Sequence, residues 1–389
     1  MLKIVELTAY QVRIPLRKRI RHASNERSQT DNLVVRCVLD DGTVGYGEGV
    51  PRDYVTGETI DSTFALLQRS NLAEQLQPGA DMSAVATIAE RLSLAPVSGD
   101  ERGCQGNAAG CAVELAYLDA MCRHLREPLS TVTKIAAPNL YQDHKKVRYG
   151  AALTGSRGNK LRANAFIFRI YGFAQVKMKL GIEGFDDLKR LRSFRRWAGK
   201  GIDLRVDVNE AWKPDEVAHR IRELEPFHVS CVEQPVSHAH VSTLAAVRKQ
   251  VSIPIMHDES LCSRFDAERA IEEGTCDLFN LRLSKCGGYV ASLRLAGLAH
   301  EQGLGYQLGC QVGETAILSA AGRHFASSVR NIRYLEGSYD RHLVAERLSR
   351  EDITFGWGGW APALPGPGLG VSIDQQAVER IAIRKEQLI

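Results

Sequence analysis

Apolar and polar positions fall into two regimes, strands followed by helices in the first third of the chain and a steady alternation of the two beyond it. Residues 1–16 and 33–39 read as two strands, and the Asp40-Asp41-Gly42 turn leads into a third short strand at residues 44–47. From about residue 60 to 129 the spacing becomes helical. It is clearest over residues 108–124, where Ala112, Leu115, Ala116 and Tyr117 form a stripe, with Glu114 and Asp119 off it. Strands then helices predict a small α+β capping domain over residues 1–140, with the polar stretch 138–146 as the linker.

Candidate strands then recur at 148–153, 175–180, 203–208, 228–233, 253–257, 277–283, 304–309 and 331–335, separated by helical patterns such as 213–224 and 290–301. Eight units at a period of roughly 25 to 30 residues predict a closed parallel barrel of the (β/α)8 type, a modified TIM barrel, over residues 141–355. A doubly wound sheet needs a topological switch and usually fewer strands. The stretch 356–370 is rich in Gly and Pro, so residues 356–389 are expected to leave the barrel and pack back on the capping domain.

Composition changes this picture little. The chain has 389 residues, 44% hydrophobic and 25% charged, which suffices for a large core. A net charge of +4, with Arg192, Arg195 and Arg196 interleaved with acids, gives no reason to expect nucleic acid. Nine scattered cysteines show neither a C-x-x-C pair nor zinc-finger spacing, which points to buried thiols in a reducing compartment. Lys3 and Glu6 interrupt any signal-peptide core, and no apolar run is long enough for a membrane span, so a cytoplasmic protein is expected. Gly45-Tyr46-Gly47-Glu48-Gly49 follows a hairpin and runs into Pro51, which argues against a dinucleotide loop.

Chemistry in a parallel barrel gathers at the carboxyl ends of strands. Strand two carries Lys177 and Lys179 on one side of an otherwise apolar stretch, an arrangement that calls for an anion nearby. Strand three ends in Asp207-Val208-Asn209, strand four in Glu233-Gln234-Pro235, strand five in Asp258-Glu259-Ser260 and strand six in Lys285. Asp207, Glu233 and Asp258 lie one barrel unit apart and are expected to converge on one rim, where like charges need a cation. Three hard oxygen donors favour Mg²⁺, with Mn²⁺ as a substitute. His257 is expected to face away from Asp258 by strand alternation.

Lys177-Met178-Lys179, Asp207-Val208-Asn209, Glu233-Gln234-Pro235, Asp258-Glu259-Ser260, and Lys285 with Gly287-Gly288 together resemble the enolase superfamily, in its muconate lactonizing enzyme subgroup of the mandelate racemase/muconate lactonizing enzyme family. The likeness extends to the capping domain and to the tail at residues 365–371. It implies that Asp207, Glu233 and Asp258 bind Mg²⁺, flanked by Asn209 and Glu259, and that Lys179 and Lys285 are acid/base catalysts on opposite faces of a substrate. The implied reaction removes the proton α to a carboxylate through a metal-stabilised enediolate. The seventh strand, Gly305-Tyr306-Gln307-Leu308-Gly309, lacks the histidine of the mandelate racemases.

The resemblance implies an isomerase: a racemase or epimerase of an amino-acid derivative, or a muconate-type cycloisomerase. The alternatives are a lyase, either an acid-sugar dehydratase or an enzyme like o-succinylbenzoate synthase, and a catalytically silent barrel. Lys177, His22, Arg27, Glu314 and Glu336 are the candidate substrate contacts; residues 17–32 resemble the family's lid, and Glu314 equally suits a helix N-terminus. Dipeptide epimerases of the subgroup carry Asp-x-Asp on the eighth strand, where this chain has Leu335-Glu336-Gly337-Ser338. Expected partners are a small-molecule carboxylate and further copies of the chain, with no nucleic acid and no membrane.

Overall fold

Four antiparallel strands open the fold, in the order Ala382–Gln387, Ile4–Arg21, Glu26–Leu39 and Val44–Gly49. The computed structural model describes residues 2–21 and 26–389, with the backbone alone for residues 19–21 and 26–27. Gly42, at φ 85°, makes the turn into the third strand and donates its N–H to Leu39 O at 3.0 Å. That strand carries glycine at every second position because the helix Asn107–His124 lies directly against it. A Cβ on Gly45, Gly47 or Gly49 would stand 2.1, 2.0 and 2.0 Å from the backbone of Ala120, Ala112 and Ala108. The two-residue period of the strand thus meets alanines spaced four apart on the helix.

The helix is buried on every side, so Glu114 and Asp119, which lie off the apolar stripe, are 4% and 0% exposed. Each finds backbone donors instead. Asp119 accepts from Tyr46 N and Leu369 N, and Glu114 accepts from Tyr289 N and Val290 N at the start of the barrel helix Tyr289–Glu301. Gly288 is required there, since a Cβ on it would lie 2.4 Å from Glu114 Oε2. Glu48, on the third capping strand, likewise serves the barrel helix Ala316–Ser328, accepting from Thr315 N, Thr315 Oγ1 and Leu318 N. Two buried carboxylates of the cap therefore hold the helices that follow the sixth and seventh barrel strands.

The barrel strands are Ala151–Leu153, Gln175–Lys179, Asp203–Asp207, Val229–Glu233, Ile255–His257, Leu278–Leu281, Gly305–Leu308 and Ile332–Leu335, all parallel and adjacent in chain order. Gly150 N donates to Leu335 O at 2.9 Å, joining the two outer strands of this sheet. The sixth strand stops at Leu281, two residues short of expectation, and Lys285 sits on the turn that follows. Cys231, Met256, Leu278 and Tyr334 form one small buried apolar cluster within the barrel. No helix among the described residues is long and apolar enough to cross a membrane.

Candidate active site at the barrel mouth

Parallel register sets the row of carboxylates. Lys179 pairs with Asp207, Asp207 with Glu233, and Glu233 with Met256, two residues before Asp258. The three acids are 1%, 0% and 0% exposed. Behind them the chain turns sharply, with Asn209, Glu210 and Gln234 in the left-handed region at φ 45°, 66° and 39°. Such strain persists only where surroundings enforce it, and here side chains lock the turns. Gln234 Nε2 donates to Ser260 Oγ at 2.6 Å, while Gln234 Oε1 accepts from Asp258 N at 2.9 Å. Asn209 Nδ2 donates to Glu259 Oε1 at 3.1 Å, which places Asn209 and Glu259 beside the row.

The like charges at the rim have partners within the protein, which corrects the expectation that an outside cation alone reconciles them. Lys177 Nζ lies 3.3 Å from Glu233 and 3.6 Å from Asp207, and Arg282 pairs with Asp258 and stands 3.8 Å from Glu233. Among the described residues no three His, Cys, Asp or Glu side chains form a ready metal cluster, and Arg282 occupies the space between Asp258 and Glu233. The donor set nonetheless suits a hard cation. Glu233 Oε2 is buried without a hydrogen bond. Burial pushes the Glu233 carboxyl up to about 8 against the pull of Lys177, and Asp207 and Asp258 add to the rise, so this acid is under-compensated.

The two candidate catalytic lysines flank the row. Lys179 Nζ donates to Asn209 Oδ1 at 2.6 Å and lies 3.9 Å from Asp207, with a side chain 19% exposed. Lys285 is fully buried, and its Nζ donates to Asp258 O, Leu261 O and Asn280 O at 2.7, 2.7 and 2.8 Å. All three ammonium protons are thus committed. Burial, the largest influence, opposes the charge of Lys285, but Asp258, Cys286 and Cys262 together outweigh it and the pKa is raised.

Glu336, a candidate substrate contact, is paired within the protein. Its carboxylate is held by Lys177 at 2.8 Å and by Arg205, and although burial opposes its charge, those two cations bring its pKa down to about 2. Lys177, expected as a substrate contact, is engaged by Glu336, Glu233 and Asp207. Glu314 accepts from Gln311 N within its own turn, and burial pushes it up to about 8. His22 lies outside the described residues, and so does the side chain of Arg27. His257 is buried and burial drives its pKa to about 3, so it is a neutral wall residue.

Three residues of this site escape a reading of strand ends. Arg205 is a buried cation and Arg282 a partly buried one, both facing the acids, and Asn280 Nδ2 donates to Glu233 Oε1 at 2.7 Å. Parity is the signal that finds two of them, since Arg205 precedes Asp207 by two residues and Asn280 precedes Arg282 by two on the same strand face.

Fold and site together define an isomerase of the enolase superfamily. The family described as Enolase C-terminal domain-like matches residues 160–377, and the chain belongs to it. Similar proteins include an N-succinyl-L-Arg/Lys racemase of Bacillus cereus, 27% identical over 389 residues and 98% of each chain. Its crystal structure superposes with a TM-score of 0.83 over 99% of both chains. A dipeptide epimerase of Cytophaga hutchinsonii, solved with Mg and D-Ala-L-Val, gives a TM-score of 0.83 at 26% identity over 100% of both chains. A hydrophobic dipeptide epimerase of Enterococcus faecalis is 29% identical over 331 residues, 85% of this chain and 89% of its own.

Proposed function

We propose that this chain is a Mg²⁺-dependent racemase or epimerase of an N-acylated amino acid, acting by removal and return of the proton α to the carboxylate. The observation that carries the reading is the placing of Lys179 and Lys285 on either side of Asp207, Glu233 and Asp258. Asp207, Glu233 and Asp258 would hold Mg²⁺, or Mn²⁺ in its stead, which would supply positive charge against the second negative charge developing on the substrate carboxylate. Lys179, oriented by Asn209, exchanges a proton with one face of the α-carbon. Lys285, held as an ammonium by three carbonyls and Asp258, delivers to the other. Catalysis belongs to residues 141–355, with 1–140 as the cap and 356–389 its C-terminal complement. The partners are a small carboxylate and further copies of the chain, and nine free cysteines support a cytoplasmic setting.

Glu336 decides the substrate class. Bound by Lys177 and Arg205, it has no charge to spare, and Ser338 is tied to Arg323 and Ile353 O. Among the described residues the eighth strand therefore ends without a free acid for a substrate ammonium, and acylation removes that ammonium. An N-succinyl or N-acetyl amino acid is expected to exceed a free dipeptide such as L-Ala-L-Glu by about 10² in kcat/KM, since an unpaired buried cation costs several kcal/mol. Equal or faster epimerization of the dipeptide in a polarimetric or NMR assay contradicts this assignment.

The metal reading has its own test. Glu233→Gln and Asp258→Asn are expected to abolish Mg²⁺ binding in isothermal titration calorimetry while the folded far-UV spectrum persists. Undiminished Mg²⁺ affinity in both variants, or full activity after dialysis against EDTA, refutes the assigned ligands.

A further inference from the structure

Two cysteines from different domains meet under the mouth. Cys104 lies in the cap, just ahead of the helix Asn107–His124, and Cys262 ends the barrel turn that begins at Asp258. Both are buried, in one cluster with Val55 and Tyr54. Their sulfurs address consecutive carbonyls of one cap segment, Cys104 Sγ at 3.7 Å from Thr56 O and Cys262 Sγ at 3.9 Å from Val55 O, with Cys262 Sγ also 3.5 Å from Glu259 O, so the two thiols converge on one buried spot. Arg102 spans the same junction, donating to Glu259 O at 2.8 Å and pairing with Asp266 at 2.7 Å, while Cys262 N donates to Asp266 Oδ2 at 2.8 Å.

The chemistry of the pair is unequal. Burial raises the pKa of Cys262, but the hydrogen bond from Cys104 and the charges of Lys285 and Arg102 outweigh it, and the net shift is downward. The other eight cysteines are all shifted upward; burial leads in seven of them, carrying Cys37 and Cys276 to about 12, and the hydrogen bond to Cys262 leads in Cys104. Of the two, the Cys262 thiol therefore gives up its proton more readily than its partner.

We propose that Cys104 and Cys262 are a disulfide site, which couples the cap to the turn carrying Asp258 and switches catalysis off in the presence of hydrogen peroxide. Cys262 sulfur attacks one peroxide oxygen, the O–O bond breaks, and hydroxide leaves with the thiol proton as water, giving a sulfenic acid on Cys262. Cys104 sulfur then attacks that sulfur, the S–O bond breaks, and a second water departs with the Cys104 proton. Two electrons pass from the thiols to the peroxide. An S–S bond of about 2.05 Å is much shorter than a contact between thiols, so closure draws Cys262 toward the cap. The neighbouring Leu261 O and Asp258 O, both of which hold Lys285 Nζ, are displaced with it. A misplacement near 1 Å at reacting groups costs about 10² in rate.

The loss of activity rests on the function proposed above, whereas the bond does not, and the experiment reads them separately. The purified full chain is exposed to hydrogen peroxide, then divided between non-reducing peptide mapping by mass spectrometry and assay of turnover. The expected result is a peptide pair joined through Cys104 and Cys262, a fall of about 10² in turnover, and recovery of both readouts with dithiothreitol. Cys104→Ser and Cys104→Ala are expected to keep basal activity and to resist peroxide, and Cys111→Ser to link as the parent does. Absence of the linked peptide from folded, peroxide-treated protein overturns the site. A linked enzyme of unchanged activity overturns the switch, as does inactivation that persists in both Cys104 variants.

Discussion

A Lys285→Ala enzyme is expected to lose net racemization by about 10² to 10⁴ and still exchange the α-proton of one enantiomer with solvent. The geometry makes the two lysines inequivalent. Lys179 is part-exposed and, among the described residues, held by Asn209 and Asp207, whereas Lys285 is enclosed and shared among three carbonyls and Asp258. In the proposed reaction each addresses one face of the α-carbon, so Lys285→Ala is expected to leave exchange at the isomer facing Lys179, and Lys179→Ala to show the opposite preference. Removing Lys285 also leaves three buried carbonyls without their donor, so Lys285→Gln, which keeps an N–H group, is measured beside it. Proton NMR of each enantiomer in D₂O reads the result. Exchange of both enantiomers by one single variant would mean that a single base serves both faces. One-sided exchange with one lysine dispensable as a base would instead indicate elimination or cycloisomerization.

The largest stability effect is expected at the buried pair of Arg205 and Glu336. Arg205 is 1% exposed, lies 4.7 Å from the ring centre of Tyr334, and pairs with Glu336, whose side chain is 11% exposed. Truncating Arg205 leaves Glu336 with Lys177 as its remaining cation, so Arg205→Met should lower unfolding free energy by about 2–3 kcal/mol in urea titrations. Removing both partners takes the Glu336 charge away as well, and Arg205→Met with Glu336→Leu should recover at least half of the loss. A single variant within about 1 kcal/mol of the parent would mean that the pair behaves as a solvated surface bridge. The sign with pH follows from the depressed pKa of Glu336. Its contribution is complete above the ordinary carboxylate value of 4.5 and is lost as pH falls toward about 2.

Barrel and rim were legible because two simple periods govern them. A strand–helix repeat fixes where each strand ends, and the carboxyl end of a parallel strand is where polar side chains reach the mouth, so Lys179, Asp207, Glu233 and Asp258 could be placed from spacing. What spacing cannot carry is the neighbour across the fold. Glu114 and Asp119 lie off the stripe of their helix and are buried because the barrel and the C-terminal tail cover that second face. The partners of Glu336, Lys177 and Arg205, come from strands two and three, brought to strand eight by the curl of the barrel, and spacing along the chain does not show them. Lys285 lies on the turn after the sixth strand, which stops at Leu281.

The central claim is that Asp207, Glu233 and Asp258, with Lys179 and Lys285, activate the proton α to a carboxylate. Incubating the wild-type protein with Mg²⁺ and one enantiomer of an N-acyl amino acid in D₂O tests it most directly, with proton NMR and chiral chromatography read together. The account requires the α-proton signal to disappear as the opposite enantiomer accumulates carrying deuterium, and both changes to stop when EDTA is added. Formation of the opposite enantiomer with its proton retained, in the absence of any deuterium uptake, or unchanged exchange after the metal is removed, would contradict it.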